Sequence, residues 1–165
     1  MIPSGAEVFY PFQGAGVVEG IEKMSFTGSP HDYYKVGLNT STVTVYVPAE
    51  KAEEMGFRRI SSGEQLEDAR EQFFSESTKL PANNTDRKNV LHARLSSGTI
   101  ADMYQIIRDL SCTGPEGPKL NMDDKNVLAQ TISLLESELM MIKHIPENKA
   151  AELVREDIRR RSRAV

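Results

Sequence analysis

The chain contains no tryptophan, one cysteine and no long apolar run. A single thiol, Cys112, cannot form an intrachain disulfide, which excludes a disulfide-stabilised secreted scaffold and favours a reducing compartment. No segment approaches the roughly eighteen apolar residues of a membrane-spanning helix, and the N-terminus lacks the basic flank and apolar stretch of a signal peptide. These absences predict a soluble cytoplasmic protein without a membrane partner.

An excess of positive charge is also absent. The 20 Lys and Arg residues stand against 24 Asp and Glu residues, which gives a formal net charge of -4. Because neutralisation of phosphates by Lys and Arg supplies most non-specific affinity for nucleic acid, strong DNA binding by the chain alone is not expected. Any DNA contact should be local, weak or assisted by a partner.

The N-terminal third has the alternating pattern of β-strands. In the segment 42–47, Val43, Val45 and Val47 fall on one face and Thr42, Thr44 and Tyr46 on the other, as in a half-buried strand. Strand-like segments separated by turn residues occur at 6–10, 16–24, 33–38, 42–47 and 57–60. Residues 1–60 are therefore predicted to form a small, open, five-stranded Tudor-like or SH3-like β-barrel.

From residue 61 the apolar period changes to that of helices. Capping boxes at Ser62–Gln65 and Thr99–Asp102, and Asn121 capped with Asp124, mark three helix starts. A further helix is expected to end near Gly98, and a last one to have Pro146 in its first turn with Leu153 facing inward. Residues 113–118 are predicted to form a loop. The prediction for 61–165 is a bundle of about five α-helices, which makes the whole chain α+β.

No residue pattern supports catalysis or cofactor binding. His31, His92 and His144 are far apart in sequence and have no cysteine or helical partner at ligand spacing, so a metal site is not predicted. The glycines from Gly14 to Gly20 run into a strand, unlike those of a dinucleotide-binding loop. The sequence therefore predicts no enzyme, no cofactor, no metal and no small-molecule substrate.

Two basic features are candidates for DNA contact. Arg87 and Lys88 lie in the first turn of a predicted helix, where cations are electrostatically unfavourable, so a phosphate backbone is one explanation and an ordinary solvated surface is the other. The Arg-rich run at 159–163 lies at a helix C-terminus, where cations are favoured in any case, and is the weaker candidate.

The outer face of the predicted barrel is a candidate for protein contact. Tyr46 alternates with buried valines and should point away from the core, as should some of Met24, Phe26 and Tyr34. An apolar outer face beside a free sheet edge favours pairing with a strand of another protein. The alternative is that the helical bundle packs on this face.

Several short motifs occur together in this chain. The β segment carries the pattern Tyr-Pro-x-x-Gly-x-Gly-x-Val from Tyr10 to Val18, and the other motifs are Val47–Glu50, Leu95–Gly98, Ile107–Leu110 and Lys125–Ala129. Their combination resembles the CarD/CdnL family of bacterial transcription regulators. The β segment by itself is similar to the RNA-polymerase-interacting domain of transcription-repair coupling factors.

This resemblance implies two partners. The barrel would bind the β subunit of bacterial RNA polymerase by sheet-edge pairing, with Met24, Phe26, Tyr34 and Tyr46 as the candidate contacts. The bundle would reach promoter DNA at the upstream edge of the transcription bubble and modulate the stability of the open complex, without catalysis or a cofactor. The candidate DNA contacts are Asn84, Thr85, Arg87, Lys88 and Lys125.

One position departs from the family pattern. Well-studied relatives carry a tryptophan directly after Pro-x-Asn that enters the minor groove, whereas here Asn84 follows Pro81-Ala82-Asn83. An amide can form hydrogen bonds to a minor-groove edge but cannot separate a base step by apolar stacking. The alternative function is therefore an adaptor on RNA polymerase whose bundle binds another protein and not DNA.

Overall fold

The computed structural model describes residues 1–75, 78–112 and 119–163. The strands are β1 (Glu7–Tyr10), β2 (Gly14–Met24), β3 (His31–Leu38), β4 (Thr44–Pro48) and β5 (Arg58–Arg59). The helices are α1 (Gly63–Ser75), α2 (Asn84–Ser97), α3 (Ile100–Ser111), α4 (Met122–Lys143) and α5 (Glu147–Arg163). The predicted α+β class is confirmed, while the predicted loop at 113–118 lies outside the described residues.

The strands form one antiparallel sheet in the order β4-β3-β2-β1-β5. The long strand β2 pairs with β1 through its first residues and with β3 along most of its length, and its register shifts at a bulge between Val18 and Gly20. Bulges increase the local bend and twist of a strand, which lets a five-stranded sheet curl around its own small core. The predicted open barrel is confirmed.

Two side chains of the β part differ in burial from the prediction. Tyr34 is only 4% exposed, and its ring stacks on Phe57 with centroids 5.3 Å apart. It pairs across the strands with the fully buried Val47, so both side chains lie on the core face. The expectation that Tyr34 faces outward is therefore wrong. Val43, predicted to face inward, precedes β4 and is exposed.

The predicted helix starts are confirmed by their capping hydrogen bonds. The Ser62 hydroxyl and the Gln65 side chain reciprocally accept each other's backbone N–H, and Thr99 accepts from the Asp102 N–H. Asn121 and Asp124 form a full capping box at α4. Because each cap satisfies N–H groups that have no partner within the helix, the local sequence determines where these helices begin.

The helices pack around α3, whose apolar residues lie on one broad buried face with α1 and α4 against it. Helix α5 covers α4 through the buried residues Ala150 and Val154. Leu153, predicted to face inward, is 39% exposed because this helix has a narrow apolar stripe centred on those two positions. Within the described residues no helix has both the length and the apolar character needed to cross a membrane.

The helical part packs on only one portion of the sheet's outer face. Phe9 and Ala15, which are paired across β1 and β2, belong to the same buried apolar cluster as Leu134 and Leu135 of α4. The outer face of β3 and β4 remains outside this contact, as the 37% exposure of Tyr46 shows. The alternative in which the bundle covers Tyr46 is therefore excluded.

Candidate functional site

A strip of mainly apolar side chains, here called the outer patch, crosses the exposed face of β3 and β4 and the end of β2. It consists of Met24, Phe26 in the loop after β2, Tyr33, Lys35 and Tyr46. Lys35 is paired with Tyr46, and Tyr33 with Pro48, and directly opposed residues of antiparallel strands present their side chains on the same face. Phe26, which is 67% exposed, packs edge-on against Tyr33 with ring centroids 5.5 Å apart. Aromatic groups that are both exposed and held in place are typical of protein-binding surfaces.

Acidic side chains surround the single lysine of the outer patch. The Lys35 ammonium lies 3.8 Å from a Glu19 carboxylate oxygen and 3.7 Å from one of Glu22. These ion pairs are exposed and contribute little to stability. The two carboxylates compensate the charge of Lys35, so the outer patch combines aromatic side chains with an ion-paired group that is net acidic on the β2 side.

Strand β4 is an edge strand, and its backbone hydrogen bonds show which of its residues pair with β3. The Leu38 N–H donates to the Val43 carbonyl and the Ala49 N–H donates to the Asp32 carbonyl. Along a strand, the N–H and C=O groups of successive residues point to opposite sides. The odd-numbered residues of β4 therefore direct these groups toward β3, and Thr44 and Tyr46 direct theirs outward. An additional strand could pair with these groups directly beside the outer patch.

The structure brings together three of the four residues predicted to bind polymerase. Phe26 and Tyr46 are exposed in the outer patch and Met24 is half-buried in it, whereas Tyr34 lies in the core. Tyr33 is the aromatic that sequence reasoning missed. The alternation in β3 could have identified it, because the buried Val36 puts Tyr34 on the inner face and Tyr33 on the outer one.

A second candidate surface, here called the helix-end cluster, lies where α2 and α4 begin. Asn84, Thr85 and Lys88 in the first turns of α2 are exposed, as is Lys125 in the first turn of α4. An ion pair between Arg87 and Asp124 joins the two helix starts. The structure thus brings all five residues predicted to contact DNA to one end of the bundle.

Arg87 itself has a different position from the one expected. It is 2% exposed, and its Nε and Nη2 atoms donate to the two carboxylate oxygens of Asp124 at 3.0 and 2.8 Å. Its Nη1 atom donates to the carbonyls of Pro81 and Ala82. A guanidinium with these partners cannot also contact a phosphate. The expectation of an exposed Arg87 is wrong, because a carboxylate of the same chain compensates the cation at the helix start.

Asp124 combines two tasks. It caps α4 by accepting the Asn121 N–H at 2.9 Å, and it pairs with Arg87. Burial acts to raise the pKa of Asp124, but the hydrogen bonds from Arg87 and from the Asn121 backbone lower it below the ordinary value overall. Asp124 is therefore ionised at neutral pH and fixes the relative position of the two helix starts.

Asn84 is coupled to this pair through its side chain. Its Oδ1 atom accepts a hydrogen bond from Arg87 Nη2 at 2.7 Å. Because the oxygen is engaged, the amide NH2 group is the part of Asn84 suited to an outside partner, and it is a donor. The four exposed candidate residues of the helix-end cluster therefore present two ammonium groups, a hydroxyl and an amide donor, and the same first turns also carry the exposed carboxylates of Asp86 and Asp123.

The described residues contain no group of three or more His, Cys, Asp or Glu side chains that could hold a metal ion. Further ion pairs with buried carboxylates lie inside the helical part. Arg70 of α1 pairs with Asp157 of α5, and Asp109 of α3 pairs with Arg94 of α2 and with its own neighbour Arg108, with nitrogen–oxygen distances of 2.8 to 2.9 Å. The pairs of Arg70 and Arg94 connect helices.

Comparison with known proteins covers most of the chain. The family model described as CarD-like/TRCF RID domain matches residues 4–61, and the model described as CarD, C-terminal domain matches residues 60–155. The chain is 29% identical over 150 residues to a Bacillus subtilis (strain 168) protein named "Putative transcription factor YdeB", and this match covers 90% of the chain and 97% of the relative.

Proposed function

The chain belongs to the CarD family of transcription factors, and on that premise we propose that it docks on the β subunit of RNA polymerase and modulates open-complex stability at promoter DNA. Family membership implies a role in transcription together with RNA polymerase. The β part would supply the docking surface and the helical part the DNA contact. Regulation would then act through binding, without a catalysed reaction, in the cytoplasm where the polymerase is bound to the nucleoid.

The outer patch next to the free β4 edge is the observation that carries this proposal. Strand addition provides affinity through backbone hydrogen bonds, and neighbouring side-chain contacts provide specificity. Thr44 and Tyr46 offer the backbone groups, and Phe26, Tyr33 and Tyr46 offer aromatic area on the adjacent face. Aromatic anchors of this kind often dominate binding energy at interfaces.

The helix-end cluster supports the DNA contact. The N-termini of α2 and α4 carry positive partial charge, and Lys88 and Lys125 add two ammonium groups beside them. The amide of Asn84 can donate to minor-groove acceptors. With a net charge of -4 these contacts are weak for a free protein, and docking on polymerase would raise their effective concentration.

The proposed function is tested by one measurement with the polymerase and one with promoter DNA. Binding to the isolated lobe of the β subunit reports docking, and a competitor-challenge decay assay on one promoter reports the lifetime of the open complex. We expect saturable binding to the lobe and a longer lifetime in the presence of the protein. Absence of lobe binding would contradict the docking, and an unchanged lifetime would contradict the DNA role.

A second function, an adaptor that holds another protein on the polymerase, is favoured by the charges around the helix-end cluster. Arg87 is engaged internally, and the exposed Asp86 and Asp123 each lie two positions before Lys88 and Lys125 in the sequence. An adaptor predicts that replacing Lys88 and Lys125 with alanine leaves the open-complex lifetime unchanged. A DNA contact predicts that the same variant shortens it.

A further inference from the structure

A buried joint connects the β part to the helical part, and Glu138 is at its centre. Glu138 lies on α4 with 0% of its side chain exposed. Its two carboxylate oxygens accept from Arg58 Nη1 and Nη2, each at 2.8 Å, and Oε2 also accepts the Ser61 N–H at 2.7 Å. A bidentate pair has a narrow range of geometries, so it specifies orientation as well as proximity.

Arg58 extends the joint to the turn between α2 and α3. Its Nε and Nη2 atoms donate to the Gly98 carbonyl at 3.1 and 2.8 Å. The guanidinium also lies over the ring of Phe9, 4.6 Å from its centroid. One side chain of β5 therefore contacts α4, the α2–α3 turn and the sheet at the same time.

The α2–α3 turn and the loop before β5 both pack closely against Pro11. Gly56 and Gly98 have φ angles of +80° and +66°, and a Cβ atom on either would lie 2.8 or 2.5 Å from Pro11 Cγ. Both positions therefore require glycine, for backbone conformation and for space. The proline ring is held between a loop of the β part and a turn of the helical part.

Hydrogen bonds from β2 and from Asn39, which follows β3, add to the joint at Ser137, the residue before Glu138. The Ala15 N–H donates to Ser137 Oγ at 3.1 Å, and Asn39 Nδ2 donates to the Ser137 carbonyl at 2.8 Å. Side chains and backbone from both parts are thus interlocked around two consecutive residues of α4. Such an arrangement restricts rotation of one part against the other.

We propose that Glu138 is a positioning residue that holds the outer patch and the helix-end cluster in one fixed relative orientation. The inference rests on the proposed function, in which docking through one surface presents the other to DNA. Neither surface contains Glu138, so its effect would be transmitted through the geometry of the joint. With a rigid joint, docking would raise the effective concentration of the helix-end cluster at one location on the promoter. With a loose joint, the same cluster would be spread over many locations, and its concentration at each would be lower.

The first experiment measures orientation directly. Spin labels at Thr40→Cys and Glu152→Cys, both at exposed positions, in a Cys112→Ala background report the distance between the two parts. We expect a narrow distance distribution that broadens in Glu138→Gln. The matched control is Asp157→Asn, which removes the Arg70 pair inside the helical part and should lower the unfolding temperature without broadening the distribution. An equally narrow distribution in Glu138→Gln, or equal broadening in the control, would overturn the proposal.

The second experiment separates positioning from docking. Glu138→Gln should bind the isolated β-subunit lobe within about twofold of wild type. Its extension of open-complex lifetime should fall by about fivefold or more, because the helix-end cluster is no longer aimed at the DNA. Full lifetime extension in this variant would refute the positioning role. If wild type itself does not extend the lifetime, the proposed function fails, and the distance measurement alone decides whether Glu138 sets the orientation.

A milder pair of variants applies if Glu138→Gln does not fold. Asn39→Ala removes one hydrogen bond of the joint at a partly exposed residue, and Arg58→Lys keeps the charge but removes the bidentate geometry. Both should broaden the distance distribution while the protein stays folded, and Arg58→Lys should broaden it more. Unchanged distributions in both would overturn the proposal.

Discussion

At the scale of single residues, the side chain of Arg87 needs the anionic partner that the sequence indicates, but it is buried and not exposed as expected. A cation in the first turn of a helix is unfavourable and needs a compensating anion, which the sequence indicates correctly. Here the anion is Asp124, 37 positions away in the sequence and in another helix. Sequence spacing does not reveal such a partner, because it depends on how α2 and α4 pack.

The first prediction is that Arg87→Ala destabilises the fold. It would leave Asp124 buried and ionised without its counter-ion, and removal of one partner of a buried pair typically costs about 3 to 5 kcal/mol. Denaturant unfolding at pH 7 measures the change. Lys88→Ala, at the adjacent exposed position, is the control and should change stability by less than about 0.5 kcal/mol.

The same variant has a defined pH dependence. The folded-state pKa of Asp124 is below its unfolded value, so its stabilisation is present above the unfolded pKa of about 3.9 and is lost as the pH falls through the lower folded-state pKa. The difference in unfolding free energy between wild type and Arg87→Ala should therefore be largest at neutral pH and shrink below about pH 4. A difference that stays constant down to about pH 2 would contradict the role assigned to the pair.

The second prediction concerns Tyr46. Tyr46→Glu would place a carboxylate inside the docking interface and should weaken binding to the β-subunit lobe by about 2 kcal/mol or more, with the fold retained. The matched control is Leu153→Glu, because Leu153 has nearly the same exposure, 39% against 37%, on the helical part. Equal binding by wild type and folded Tyr46→Glu would remove Tyr46 from the interface.

The third prediction concerns Asn84, the position at which the family resemblance implies a tryptophan. A tryptophan there would add apolar area that can hold an unstacked base step, and unstacking costs a few kcal/mol. Asn84→Trp should therefore lengthen the open-complex lifetime, and Asn84→Ala should change it little. Lobe affinity must stay equal in all three proteins. A tryptophan variant with no longer lifetime would indicate that this helix start does not reach the bubble.

At the scale of elements, the sequence predicted helix starts well because capping is local. The residues that cap α1, α3 and α4 lie within three positions of the N–H groups they bind. The inward position of Tyr34 is also local in origin, because Tyr34 alternates along β3 onto the same face as the buried Val36. The order of the strands in the sheet depends on pairings between segments that are distant in the sequence, which no local pattern contains. The joint at Glu138 was missed for the same reason, since Arg58 lies 80 positions away.

The fourth prediction tests the edge of β4. Thr44 directs its N–H away from β3, so proline there removes a donor from the free edge and leaves the existing sheet paired. Thr44→Pro should weaken binding to the β-subunit lobe by about 1 kcal/mol or more, because one intermolecular hydrogen bond is removed. Thr44→Ala removes only the side chain and is the control. Equal affinities of the two variants would contradict strand addition at this edge.

At the scale of the whole molecule, charge and architecture act together. The net charge of -4 opposes binding to a polyanion, while the helix-end cluster offers a small favourable surface at one end. The joint around Glu138 connects that surface to the outer patch through buried contacts. If the proposed function holds, a weak DNA contact in a rigid molecule would become effective only after docking, because docking would supply the local concentration that the net charge opposes.

The fifth prediction follows from this dependence on docking. The protein alone should show little retention on promoter DNA at physiological salt, and should be retained when polymerase is present. If Lys88 and Lys125 each neutralise a phosphate, replacing both with alanine should make the retained complex less sensitive to salt. The logarithmic slope of affinity against salt concentration should decrease by about one unit for each phosphate that is no longer neutralised.

The control for that experiment is Lys149→Ala, which removes an exposed lysine of α5 and leaves the net charge one unit more negative without touching the helix-end cluster. If Lys149→Ala lowers the salt slope as much as either cluster lysine, the slope reports overall charge and not a contact. Tight, polymerase-independent retention of wild type would contradict the dependence on docking. Retention by polymerase with no slope change in the cluster variant would favour the adaptor function, because the helical part would then be held near DNA without binding it.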